Sequence, residues 1–248
     1  MNLLITIIFL FIMSTQILFA QNFNHYTCVI YKAYIQNDMS LWIAGMDQFT
    51  GKYRETNNLD FLYESAIAQY GLIGYYVGNK LHQQAERNID IIEKNLEILI
   101  KSYSHASNAY ALKAGINGMK IGIHPVKAVY LGQFNQDYIK ASFDLDQNNP
   151  IVWMEKGNAA YHTPSIFGGS YVEAAEYFSK AITLFEKEKQ MTKCNWLYMH
   201  CLIWLGKSYE MMKNYQKALT IYEKILKIEP EFSWVKNTLY PELKKKMK

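Results

Sequence analysis

From residue 26 onward apolar positions recur every three or four residues, and no convincing strand-type alternation interrupts them. The pattern predicts helices over about Tyr26–Gln36 and Leu41–Tyr53, a turn at Asn57-Asn58, and a third helix capped by Asp60 and running through Phe61, Ala66, Tyr70 and Ile73 to a stop at Gly78-Asn79. Leu81–Tyr103 is the strongest amphipathic stretch, with Ile89, Ile92, Leu96, Leu99 and Tyr103 on one stripe. Ala106–Ile123 follows, with Ala109, Ala114 and Gly118 keeping its packing side chains small, and His124-Pro125 closes it. A partner helix is expected around Asn135–Leu145, then Asn149 as cap and Pro150 in the first turn of a helix carrying Trp153, Gly157 and Tyr161. Its own partner carries Ala174, Phe178 and Ala181, entered through Ser170 and Glu173 as a capping box. The stretch Phe232–Lys246 reads as a terminal cap that Pro241 should kink or split into two short pieces.

The clearest spacing lies near the end: Leu202, Leu205, Gly206 and Tyr209, then Ala218, Tyr222 and Pro230. It fits W-x2-L-G-x2-Y…A-x3-F…P, with apolar replacements at Leu202 and Tyr222. Gly206 stands where two helices cross closely, Ala218 keeps the facing side small, Lys213-Asn214 supplies the turn, and Pro230 ends the second helix. From Gly157 to Ala174 is 17 residues, against 12 from Gly206 to Ala218, so the earlier unit holds about five extra residues, placed within 162–170.

The chain therefore resembles an exported bacterial tetratricopeptide-repeat protein, and residues 150–235 resemble a group found in Bacteroidetes-type bacteria. The features that carry this are Asn149-Pro150…Trp153…Gly157, Thr163-Pro164…Phe167-Gly168-Gly169-Ser170, Ala174…Phe178…Ala181 and Ile228-Glu229-Pro230-Glu231-Phe232-Ser233-Trp234-Val235. Lys156, Ile225 and Glu186 depart from the pattern. More distantly the chain resembles the helical-repeat T component of periplasmic TRAP-type uptake systems, which shares a Pro-…-Phe-Gly-Gly loop. The expected fold is all-α: a TPR-like superhelical stack of about five antiparallel helix pairs plus a C-terminal capping helix. It forms one domain over residues 21–248, with its best-defined repeats at 150–188 and 199–230.

Residues 1–20 differ in kind. Leu3–Met13 is almost wholly apolar, Ser14-Thr15-Gln16 interrupts, and Ile17–Ala20 precedes Gln21, which reads as a secretory signal cleaved after Ala20; the alternative is an uncleaved anchor, for which the broken apolar run is short. Export, to the periplasm, is the expectation, with no stable membrane span afterwards. The formal charge of +4 is supplied by the lysine tail Lys244, Lys245, Lys246 and Lys248, which suits a solvated helix end, so no nucleic-acid footprint is present. Cys194 and Cys201 are seven apart, about 10 Å along one helix face, too far for a disulfide or a shared zinc ion. Small core thiols are expected, with a bridge from Cys28 to either left open.

No catalytic constellation is present: no G-x-S-x-G turn, no H-E-x-x-H helix, no pair of Cys-x-x-Cys motifs. Gly206-Lys207-Ser208 lacks the earlier glycine of a phosphate loop, Cys201 standing there. The six histidines show no ligand spacing, and neither a metal nor a cofactor is expected. The functional expectation is a non-enzymatic scaffold holding a protein or peptide in its concave groove, with oligomerisation possible. The alternative is a solute-uptake accessory that holds a small hydrophobic ligand in an enclosed apolar cavity, or meets a solute-binding protein. Candidate partner-binding residues are Tyr70, Tyr75 and Tyr76, drawn from a chain with 20 tyrosines, and Thr163, Phe167, Gly168 and Gly169 of the long turn. In that turn Phe167 either projects past the stack or plugs the gap between helix pairs, and the glycines could offer amides to an anion.

Overall fold

A computed structural model describes residues 24–248, and the signal-like segment lies outside the described residues. Among them the regular structure is helical throughout. The helices are α1 (residues 24–36), α2 (Met39–Thr56), α3 (Leu59–Gly78), α4 (His82–Ile100), α5 (Ala106–Ile123), α6 (Ala128–Leu145), α7 (Pro150–His162), α8 (Tyr171–Phe185), the single turn α9 (Lys189–Thr192), α10 (Trp196–Met211), α11 (Tyr215–Ile228) and α12 (Tyr240–Lys246). Consecutive helices pack as hairpins, α3–α4, α5–α6, α7–α8 and α10–α11. The contacts Tyr26–Phe49, Ile30 against Gly45 and Tyr34–Trp42 make α1–α2 a fifth. Five pairs and a cap is the architecture the periodicity predicts.

Local chemistry explains most boundaries. Asp38 caps α2 by accepting from the amides of Ser40 and Leu41, and Asn149, Asn195 and Asn214 do the same for α7, α10 and α11. The cap of α3 is Asn58, whose side chain accepts from the Asp60 amide; Asp60 itself lies in the first turn, where its charge suits the helix dipole and its carboxylate meets His105 at 2.9 Å. The partner helix α6 begins seven residues before the expected Asn135, because Pro125 starts a 3-10 turn that runs directly into it. Pro241 does not split the cap. Val235–Leu239 winds as a π-helix, whose wider spacing lets Tyr240 bond back to Val235 and absorbs the missing proline donor.

The two best repeats share one crossing. A Cβ on Gly206 would sit 2.4 Å from the Tyr222 ring, and one on Gly157 would sit 2.8 Å from the Phe178 ring. Those partners are 16 and 21 residues downstream, which restates the five-residue expansion in packing terms.

The ends of the stack meet. Tyr34 of α1 packs on Trp196 of α10 and on Phe232, at 5.5 and 5.4 Å between ring centres, and Trp42 of α2 meets Trp196 at 5.1 Å. Tyr31 donates to Glu229 at 2.9 Å, and a disulfide joins Cys28 to Cys194 across 166 residues. This settles the bridge left open by the sequence. It also corrects the placement of Cys194, which stands in the left-handed turn before α10 (φ 51°) and not on a helix face with Cys201. Cys201 is a buried free thiol, as expected of a core cysteine.

Candidate functional site

Antiparallel hairpins in series leave α3, α5, α7 and α10 parallel, and these four form the inner face. Around α3 and the start of α10 that face is packed with the chain's own aromatic rings. Tyr70, Trp196 and Trp42 meet there, with Gly71 so close to both tryptophans that a Cβ would lie 2.4 Å from Trp42. The indole of Trp42 donates to the Ala68 carbonyl at 2.9 Å. Tyr70 is therefore a core residue, not a free groove-lining one. Its hydroxyl faces Glu155 and Asn158 of α7, and burial drives its pKa well above the ordinary tyrosine range. Tyr75 and Tyr76 pair with each other at 6.0 Å at the far end of α3, both half-buried. The structure thus separates the three tyrosines by role.

Glu155 is 2% exposed. Desolvation pushes its carboxyl up to about 7, only partly offset by hydrogen bonds from Tyr70 and Asn158. The missing side chain of Gly115 makes its space: a Cβ there would lie 2.6 Å from Oε2. Its Oε1 finds no protein partner, and neither do three ring nitrogens along one face of α10, Trp196 Nε1, His200 Nε2 and Trp204 Nε1. Burial holds His200 down at about 3, so its imidazole is neutral. Sequence reading missed this group. The signal was present as Trp196, His200 and Trp204 at four-residue spacing, one helix face.

The long turn between α7 and α8 lies elsewhere. Ser165–Phe167 form a 3-10 turn whose Ile166 and Phe167 are 82% and 75% exposed, so Phe167 projects and plugs nothing. Gly168 takes φ 91°, and Gly169 has its position so close to the Thr163 carbonyl that a Cβ would lie 1.7 Å away. The two glycine amides are used inside the turn, donating to Ser165 and Pro164, so the turn offers no amide nest to an anion. Half of the expected capping box forms: Ser170 Oγ accepts from the Glu173 amide, while the Ser170 amide donates to Ala160. The α5–α6 connection opens at the same end of the stack, where Val126, Val129, Tyr130 and Phe134 are exposed in a helical stripe. Thr163, Phe167, Gly168 and Gly169 therefore belong to an exposed turn, whereas Tyr70 is packed inside the stack.

Among the described residues no cluster of His, Cys, Asp and Glu could hold a metal ion, and no helix is long and apolar enough to cross a membrane. A depression between α8 and the last repeat, edged by Ala175, Ser179, Tyr209 and Met212, is open to solvent.

Comparison with known proteins places the repeat. The model of the tetratricopeptide repeat matches residues 200–232, the unit read from Leu202 to Pro230. No curated protein matches the chain. Among solved structures the chain is similar to the HusA haemophore from Porphyromonas gingivalis, at 13% identity and a TM-score of 0.48, over 73% of this chain and 92% of that one. The resemblance to a TRAP-type T component finds no support in these comparisons. The chain is an all-helical, TPR-type stack with a tetratricopeptide repeat in its last full hairpin.

Proposed function

We propose that this protein is an exported, non-enzymatic helical-repeat scaffold that binds a protein partner. Tetratricopeptide stacks generally serve protein interaction, and the repeat at 200–232 supports that class. The concave groove is a poor choice of surface here, because around α3 and the start of α10 it is packed with the chain's own aromatic rings. The observation that carries the reading is the exposed turn after α7, where Ile166 and Phe167 project on a glycine-built frame, with Val126, Val129 and Tyr130 also exposed at the α5–α6 connection of the preceding hairpin. An apolar cluster held on a rigid frame is the usual form of a protein-binding hot spot.

Export is supported by the Cys28–Cys194 disulfide, since such bonds persist in oxidising compartments, and by the signal-like residues 1–20. The uptake-accessory alternative needs an enclosed apolar cavity, which the open depression beside α8 does not supply. Crosslinking and affinity capture from the native periplasm test the proposal. The parent chain should retain a specific partner that an Ile166→Asp, Phe167→Asp variant loses. Equal capture by both would sink the assignment of the exposed turn. Protection of the N-terminus at Gln21 in the mature protein would verify cleavage after Ala20.

A further inference from the structure

Helix α6 is held along one side. Its packing is on α5, with a lighter contact to α7. Leu131 and Ile139 point into the stack, Tyr138 stacks on Tyr110 of α5 at 6.1 Å, and the Ser142 hydroxyl donates to the Ser107 carbonyl at 2.7 Å. The other side begins in the Pro125–Lys127 turn and bears Val126, Val129, Tyr130 and Phe134, which are 79%, 89%, 52% and 50% exposed. Spacings of three, one and four make these a single helical stripe. Counted at 3.6 residues per turn, exposed Gln133, Asp137 and Lys140 come next along that side. The outer side of α6 is therefore apolar in its first half and polar in its second.

Two valines and two rings exposed to that degree bare on the order of 400–500 Å² of apolar side chain. That is in the range of the largest apolar patch on a typical monomer, about 300–600 Å², which is often functional. Two such stripes face to face remove roughly 900 Å² from water, and the flanking polar residues bring the total toward the roughly 1,200 Å² at which stable interfaces begin. This area suits a reversible contact. The charges identify what faces it. Lys127 stands at one end of the stripe and Asp137 lies beyond the other. The neighbouring charges are matched within the chain, His124 by Glu86 and Lys140 by Asp144. Lys127 stands near Glu86, which His124 already engages. Asp137 accepts from Gln133 of its own helix at 3.2 Å, and among the described residues neither Asp137 nor Lys127 is in an ion pair. A stripe with opposite charges at its two ends is complementary to itself reversed.

We propose that α6 is the contact between two copies of this chain, packed antiparallel about a two-fold axis near Tyr130. On that axis Tyr130 meets Tyr130 of the second copy, and Val126 lies opposite Phe134 of the second copy, so each apolar group covers another. Lys127 faces Gln133 of the second copy. Asp137 of that copy lies four residues further, about 6 Å along the axis and within reach of a lysine stem. A parallel pairing would set Lys127 on Lys127 and Asp137 on Asp137, which repel. The contact does not rest on a partner at the α7–α8 turn. The two have different readouts, mass in solution for one and capture of another protein for the other.

Sedimentation equilibrium of the disulfide-bonded chain over about 1–500 µM should show the mass rising from one copy to two, with a dissociation constant of about 1–100 µM. Val129→Glu changes a side chain that stands in solvent. In dilute solution, where both chains are single copies, it should melt as the parent does, yet it should weaken association at least about tenfold by burying a charge. Lys127→Asp and Asp137→Lys should each weaken association about 3–10-fold. The double variant should return to within about threefold of the parent, because each copy then carries the exchanged pair. Lys245→Asp, on α12, should change nothing. A single copy up to about 500 µM overturns the proposal. So does a dimer that Val129→Glu leaves intact, and failure of the double variant to recover overturns the antiparallel two-fold contact.

Discussion

The α7–α8 and α10–α11 hairpins have the same crossing and different surroundings. In both, a glycine lets an aromatic ring lie against the helix backbone, Gly157 under Phe178 and Gly206 under Tyr222. The later hairpin turns tightly through Lys213 in the left-handed region and Asn214 as cap, and its entrance is tied to α1 by the disulfide. The earlier one spends its extra residues on an exposed turn and carries the buried Glu155. What the shared part teaches is that close packing sets the frame. What differs separates the roles, one hairpin anchoring the molecule and the other presenting surface.

Breaking the anchor should have the largest effect. Cys28→Ser removes a cross-link closing 166 residues, which the chain-entropy model values at roughly 5 kcal/mol, within the usual 2–5 kcal/mol for native bonds. Urea unfolding should show that loss, and hydrogen exchange should place early opening in α1 and the start of α10, with α7–α8 less affected. If α7–α8 opens first, the two hairpins do not divide the roles as described.

Gly206→Val and Gly157→Val test the shared crossing. Each drives a side chain into an aromatic ring, and each should cost more than about 3 kcal/mol or prevent folding. Similar losses in thermal unfolding sharpen the equivalence; a tolerated Gly157→Val would break it.

Glu155 provides a pH signature absent from the last repeat. Its folded pKa, about 7, lies above the ordinary glutamate value of 4.5. The protonated form is therefore favoured in the folded chain. The associated stability is fully present below pH 4.5 and is lost as pH rises through about 7, an effect on the order of 3 kcal/mol. Glu155→Gln should remove that slope and make the chain more stable than the parent at pH 8. Parallel stability–pH curves for parent and variant would refute it. The smallest effect is expected at the turn: Ile166→Ser with Phe167→Ser should alter stability by less than about 0.5 kcal/mol, because neither side chain is buried.

Periodicity made the helices legible, and glycine with a downstream aromatic ring made the best crossings legible, since both are local in sequence. The five extra residues between Gly157 and Ala174 were also readable, and the position of Phe167 was not, because a turn's direction depends on which carbonyls its amides reach. Closure of the stack left no such trace. Nothing in the spacing marked Tyr34, Trp42 and Trp196 as neighbours, and Tyr70 read as a partner-binding candidate; only their meeting shows that the four rings pack together. The start of α6 was missed because Val126 and Val129 face solvent, so the amphipathic pattern fades before the helix does.

Joining the first hairpin to the last changes how the molecule should come apart. A linear array of repeats behaves as a one-dimensional chain of units, fraying from whichever terminal unit is weakest. Here the terminal units are each other's neighbours, so neither is free to fray. Unfolding should be closer to all-or-none than in an open array. During synthesis the first helix has no final resting place until residue 194 and beyond have followed it, so the stack can lock only after nearly the whole chain is available.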